Sequence, residues 1–277
     1  MTPIREICAR EYKVTLDTGR SRWPVLLADV TSDLRRLARA LRVTIAGRLE
    51  PGPTRKVLFL DTPRHDLFHS GRVLRQRFSE ATGATELTLK AMSPDRYVLR
   101  LRDVRATRPE RASTKFEEDI SPPFQSRFSL STTVRLREEE FDGSRVVMRD
   151  AVEHFPGLDR LCSGRSAAHL GTPLEPVRGI QVRERVHDGL EVTLGDAHAS
   201  LAIVVWLHNL REKPLIAELS CRCGVAKRGV SPSVARDAYA LFAGIQGMPS
   251  SIRLGPTKTQ YIYGIRPTRV GPRKVSS

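Results

Sequence analysis

Between turn signals, most of the chain alternates apolar and polar residues with period two, the spacing of half-buried strands. Helical spacing is confined to short stretches. Ser32 to Leu41 places Leu34, Leu37 and Leu41 on one face, with Ser32 or Asp33 available as a cap. Pro232 to about Ile245 has Ser231 as its N-cap, Pro232 at the first helical position, and Tyr239, Leu241 and Phe242 for burial. The pattern predicts a β-rich α+β fold in which helices are packing elements. Arg160 to Pro176, with Gly164, Gly171, Pro173 and Pro176, reads as a long loop between two halves of one sheet, or as a domain boundary. From residue 265 the sequence is basic, rich in Pro and Gly and without periodicity. The expected organisation is therefore one domain over 1–264 and a disordered basic tail over 265–277.

The polar faces of the expected strands repeat one chemistry. Glu11 and Lys13 lie opposite Tyr12 and Val14, and Arg75 and Arg77 lie opposite Leu74, Gln76 and Phe78. Glu86, Thr88 and Lys90 oppose Leu87 and Leu89. In YVLRLRD, read as a further strand, Arg100 and Arg102 oppose Leu99 and Leu101. Lys115, Glu117 and Asp119 share a face against Phe116, Glu118 and Ile120. Later, Arg183 pairs with Arg185, and Glu218 with Ser220. One such strand is ordinarily a solvated sheet surface. Six or more, each mixing cations with carboxylates, point to a closed barrel with a polar, wet interior and helices over its apolar outer faces.

Composition sharpens this picture. The chain has 277 residues and a net charge of +15 from 46 Lys plus Arg against 31 Asp plus Glu, so an anion is the expected partner. Its 40% hydrophobic content is enough for a core in a chain this long. The longest apolar run, Leu201 to Leu207, is far short of the roughly twenty residues that cross a bilayer. With no apolar leader near Arg5, Glu6 and Arg10, a cytoplasmic location is expected. Cys8, Cys162, Cys221 and Cys223 lack zinc-knuckle spacing and read as reduced, structural residues. There is no GxxxxGK[ST] phosphate loop, HExxH helix or GxSxG elbow.

A lumen carrying several Arg and Lys side chains at fixed positions suits a chain of phosphates, because Arg grips phosphate oxygens bidentately. Carboxylates on the same faces would repel that guest unless a divalent cation lay between them. Mg²⁺ commonly uses one or two carboxylates together with waters and substrate phosphates. The mixed lining therefore implies a metal, Mg²⁺ or Mn²⁺, with a polyphosphate.

REYK at Arg10 to Lys13, LFLDTPRHDLFHSGRVLRQRF at Leu58 to Phe78 and LTLK at Leu87 to Lys90 resemble the CYTH superfamily, the triphosphate tunnel proteins. KFEED from Lys115, AELS from Ala217 and TKT from Thr257 follow in that family's order, so the resemblance runs from about residue 6 to 264, patchily between Ser121 and Gly179. It implies an eight-stranded antiparallel barrel forming a tunnel. By the same resemblance Lys13, Arg75, Arg77, Lys90, Lys258 and one or both of Arg183 and Arg185 hold phosphates. Glu11, Glu117, Asp119 and Glu218 hold metal, and Glu11 and Glu117 are the catalytic carboxylates. The chain departs from the family where the opening Glu-x-Glu-x-Lys has Ala9 in place of its first Glu, and where Ser220 replaces the second Glu of the late Glu-x-Glu. Both departures thin the metal site and place the chain nearer a divergent branch.

The leading expectation is a metal-dependent phosphohydrolase acting on a triphosphate-containing small molecule or polyphosphate. The alternatives are a non-catalytic phosphate binder with a degenerate metal site, and a class IV-like adenylyl cyclase, which needs a base-recognition pocket that the sequence does not identify. A nucleic-acid role is disfavoured by 6% aromatic content and the lack of a basic recognition helix. His65 and His69 are assigned to surface packing, Cys221 and Cys223 to the core, and Trp206 to the barrel wall. Substrate identity, preferred metal and oligomeric state are open at this stage, as is the choice between Arg183 and Arg185.

Overall fold

The structure is a computed structural model that describes residues 6–19, 22–137, 146–162, 169–208, 213–225, 229–252 and 255–266. In chain order the elements are β1 (Ala9–Leu16), α1 (Trp23–Leu41), β2 (Ile45–Asp61), α2 (Asp66–His69), β3 (Arg72–Ser79), β4 (Thr85–Ser93), α3 (Arg96–Arg100), β5 (Ala112–Ser121), β6 (Gln125–Leu136), α4 (Met148–His154), β7 (Glu175–Leu194), β8 (Ala197–Leu207), β9 (Pro214–Gly224), α5 (Pro232–Gln246), β10 (Ser251–Ile252) and α6 (Lys258–Tyr263).

The sheet closes on itself. Its strands run β1-β5-β6-β4-β3-β2-β7-β8-β9, and β9 pairs back onto β1 from Ala9↔Gly224 to Leu16↔Ala217. The ring therefore has nine strands rather than the eight expected. Eight of its pairings are antiparallel; β1 and β5 run parallel, and short β10 adds to the end of β1. A closed ring leaves no free edge among these nine strands and divides every strand into a lumen face and an outer face.

The outer faces are apolar and covered. Tyr12, Val14 and Leu16 of β1 join Leu201, Ile203, Leu219 and Cys221 under one stripe of α1 (Leu26, Val30, Leu34) and one of α5 (Val234, Leu241, Phe242). Ser231 caps α5 by accepting from the Val234 amide, as the sequence predicts. α1 begins nine residues before the expected start, because Pro24 fits its first turn and Leu26 and Val30 continue the Leu34 stripe. On the opposite side Leu74, Leu87, Leu89 and Phe116 pack with Leu99, Met148, Ala151, Phe155 and Leu158 from α3, α4 and the 3-10 turn Pro156–Leu161.

Arg100 and Arg102 do not stand on a strand. Asp95 caps the backbone amides of Tyr97 and Val98, and the segment coils into α3, burying Leu99 while Leu101 stays exposed. Of the long loop expected at Arg160 to Pro176, residues 163–168 lie outside the described residues; β7 has already begun at Glu175. All but the first two residues of the expected tail also lie outside them.

A third apolar cluster sits inside the ring. Val57, Phe59, Val73, Val182, Trp206 and Ile216 point inward and meet Ile262 and Tyr263 of α6. Tyr263 stacks on Phe68 of α2 and donates its hydroxyl to Asp61, which also accepts the amides of Thr62, Leu67 and Phe68. Asp61 of the DTP element thus ties α2 and α6 together across one part of the lumen and fills it with apolar side chains. His65 joins this packing with its ring edge against Tyr263.

Candidate functional site

Strand register places the charged side chains. Glu11 lies directly across from Asp119 on β5 and from Arg222 on β9, Lys13 from Ser220, and Thr15 from Glu218. Around the ring Glu117 faces Ser129, Ser131 faces Lys90, Thr88 faces Arg75, and Glu86 faces Arg77. Residues paired in register share a face, so Glu11, Lys13, Arg75, Arg77, Lys90, Glu117, Asp119 and Glu218 all line one lumen. Lys258 joins them from α6 rather than from a strand, its Nζ donating to Glu218 Oε1 at 2.7 Å.

The ammonium of Lys13 lies between two carboxylates. Its Nζ donates to Asp119 Oδ1 at 2.7 Å and lies 2.9 Å from Glu11 Oε2. Lys90 Nζ takes the other Asp119 oxygen at 2.9 Å. Burial would raise the Asp119 pKa, but Lys90 and Lys13 overcome it and hold the carboxyl well below its usual range. Glu11 is lowered in the same sense, with Lys13 outweighing burial, and Lys13 is itself raised by Glu11 and Asp119 against burial. The Lys13 and Asp119 side chains remain 24% and 19% exposed although a ring of strands surrounds them, so this part of the lumen is open to water.

A second group surrounds Glu184. This carboxylate is buried, accepts from Trp206 Nε1 at 3.0 Å and from Arg55 Nη1 at 3.4 Å, and lies 3.3 Å from Arg77 Nε. Burial would raise its pKa, but Arg77, Lys258 and Arg75 hold it far below the carboxylate range. Arg75 is left over. Its Nε is enclosed without a hydrogen-bond partner, and burial together with adjacent Arg77 pushes its pKa down to about 9. The guanidinium is still charged at neutral pH, but the protein does not fully solvate it.

Arg183 and Arg185 do not reach this site. They share a face, as the alternation predicts, but it is the outer one: Arg183 pairs with Glu80 and Arg185 lies over the ring of Trp23 at the start of α1. Glu184 between them points inward: it pairs with Arg55 in an unbroken register that also sets Val182 across from lumen-facing Val57. Sequence reasoning also missed Arg55 and Arg222. Arg222 continues the period-two series of Glu218 and Ser220, which was a usable signal, and its Nη2 donates to Glu117 Oε1 at 2.9 Å. Trp206 is a lumen residue of the apolar cluster, with its indole N–H committed to Glu184.

The carboxylates placed to share a divalent cation are Glu11 and Asp119, opposite each other in register and joined through Lys13. No three His, Cys, Asp or Glu side chains converge as a metal cage among the described residues. Glu117 and Glu218 are likewise held by cations, Arg222 and Lys258, so a metal would have to displace a cation from any of the four. The set fits a cation that arrives with a phosphate chain and takes one or two protein carboxylates, and it does not fit a preassembled multi-carboxylate site.

No family model and no curated protein matches the chain. Among solved structures it is similar to a proposed adenylyl cyclase from Hippeastrum, described as having a dominant triphosphatase activity. That match has 15% identity and a TM-score of 0.49 and covers 94% of this chain and 97% of that one. Proposed adenylate cyclases from Vibrio parahaemolyticus and Bacillus halodurans match with 10% and 14% identity and TM-scores of 0.37 and 0.39. They cover 93% and 92% of this chain and 99% and 96% of their own. Similarities this distant carry no conclusion about activity, which has to come from the lumen itself.

Proposed function

We propose that the lumen takes the triphosphate group of a small molecule, or a polyphosphate, and that the chain is a divalent-cation-dependent phosphohydrolase acting on it. The observation that carries this reading is Arg75: a lumen guanidinium with an unpartnered Nε, beside Arg77 and in a ring that also holds Lys13, Lys90 and Lys258. Phosphate oxygens would supply the acceptors that Arg75 lacks, and the lysines would exchange a carboxylate for a phosphate oxygen at little cost. Mg²⁺ or Mn²⁺ held by Glu11 and Asp119 would neutralise and polarise the phosphate chain. The apolar cluster of α6, Phe59 and Trp206 would keep water from one end of the guest. A cytoplasmic location belongs to the same proposal; none of the described helices is long and apolar enough to cross a membrane.

A second reading, binding without turnover, is favoured by one arrangement. Lys13 already bridges Glu11 and Asp119, while Ala9 and Ser220 stand where the resembled family has further carboxylates. Tripolyphosphate, thiamine triphosphate and ATP, each with Mg²⁺, Mn²⁺ or EDTA, separate the two when phosphate release and thermal stabilisation are both measured. Metal-dependent release that is lost in Glu11→Gln supports the hydrolase. Stabilisation without release in any metal leaves the binder. Stabilisation unchanged in Arg75→Met removes the lumen as the phosphate site under either reading.

A further inference from the structure

A second group of arginines stands on the outside of the ring. β3 opens with Arg72, whose neighbour Val73 points into the lumen, so Arg72 points away from it. The residue is 5% exposed, yet its Nε and Nη1 are enclosed without a hydrogen-bond partner. Gly71 precedes it at φ +74°, and a Cβ built there would lie 4.0 Å from Arg102 Nη2, so the Arg102 guanidinium reaches the start of β3. Arg160 comes from the 3-10 turn Pro156–Leu161, which packs so closely on Asp103 that a Cβ on Gly157 would stand 2.6 Å from its backbone oxygen. Burial, Arg102 and Arg160 all push the Arg72 pKa down, and Asp103 alone acts against them. That carboxylate is already committed, accepting from Arg105 Nη2 at 2.7 Å and Nε at 3.0 Å.

An enclosed, unpartnered Arg72 thus has the Arg102 guanidinium at the start of its strand and the turn that carries Arg160 packed on Asp103, the carboxylate that Arg105 has taken. A buried charge in this condition is costly unless an anion from outside completes it. We propose that Arg72, Arg102 and Arg160 form a second anion site, on the outer wall of the ring, that takes the tetrahedral oxyanion of a phosphate group. A planar carboxylate satisfies one guanidinium fork, whereas a phosphate offers oxygens to several donors approaching from different elements. The three residues grade from buried Arg72 through half-buried Arg102 to exposed Arg160, which gives the anion a way in from solvent. This site is separate from the lumen and does not depend on what the lumen does. Free phosphate and a phosphate on a lipid headgroup share the chemistry. Exposed Tyr97, Val98 and Leu101 on and beside α3 make the second source worth an arm of the test.

Titration of inorganic phosphate into the full chain carrying Arg75→Met and Lys90→Met, which removes two of the lumen's cations and weakens that site, brings out the outer site. Binding should remain, and adding Arg102→Ala with Arg160→Ala should weaken it at least tenfold while leaving the fold intact. In otherwise native protein Arg72→Met should raise the melting temperature in phosphate-free buffer, since an unpaired buried charge has been removed, and should abolish this site's response to phosphate. Loss of all phosphate binding in the Arg75→Met, Lys90→Met background, binding indifferent to the Arg102 and Arg160 changes, or a lower melting temperature in Arg72→Met would each overturn the proposal. Co-sedimentation with phosphatidylcholine vesicles containing phosphatidate, absent with phosphatidylcholine alone and lost in the Arg102 and Arg160 variant, assigns the headgroup as the source. No sedimentation beside a positive phosphate titration assigns free phosphate.

Discussion

Glu184 is 1% exposed and serves Trp206, Arg55 and Arg77 together. Replacing it by Gln keeps the shape but leaves the half-buried guanidiniums of Arg55 and Arg77 without their counter-charge, a change that costs up to about 3–5 kcal/mol, the figure for a fully buried pair that loses one member. Urea unfolding at neutral pH should show a loss of that order. The pH dependence has a definite sign. Glu184, Asp119 and Glu11 all titrate lower in the folded chain than in the unfolded one, so their contribution is complete above the usual carboxylate pKa of about 4 and is lost as the pH falls through and below it. The melting temperature of the native protein should drop on acidification through that window. Glu184→Gln should drop less, and equal slopes would mean that Glu184 is not held as a carboxylate.

At the scale of elements, α6 holds its place through one buried hydrogen bond and a ring stack. Tyr263→Phe keeps the stack on Phe68 and removes the donor to Asp61, leaving that carboxylate with its backbone amides only. The expected cost is about 1–3 kcal/mol, with faster hydrogen exchange in α6 and α2 than in the strands; uniform exchange would deny α6 a role in closing the lumen. The strands that carry the site were legible because β1, β3, β4 and β5 pair without a register shift and repeat charged residues on one face, so that face could be followed from residue to residue. β7 was not. Alternation put Arg183 and Arg185 on one face, but with charge on both faces of the strand only the pairing of Glu184 with Arg55 and of Val182 with Val57 shows which face turns inward. YVLRLR alternates like a strand yet forms a helix, since Asp95 offers two amides a cap and Leu99 alone needs burial. The inward role of Trp206 was hidden for a related reason: LAIVVWL is apolar on both faces, and no alternation shows which side meets the lumen.

For the whole molecule, the consequence of a closed ring is that a lumen ligand can touch several strands at once. Lys13 belongs to β1, Arg75 and Arg77 to β3, Lys90 to β4 and Arg222 to β9, while Lys258 reaches in from the far end of the chain. A net charge of +15 draws a polyanion toward the protein from any side, but only the lumen can couple these strands. Tripolyphosphate should therefore stabilise the chain against global unfolding, by about 2.7 kcal/mol at a hundred times its Kd. The added hydrogen-exchange protection should spread over β1, β3, β4 and β9 together. An anion adsorbed on the basic exterior would give a weaker effect that fades with salt and protects one hairpin or none. Protection confined to a single pair of strands would place the phosphate chain outside the ring, because a guest bridging Lys13 and Arg75 cannot leave either strand free to open alone.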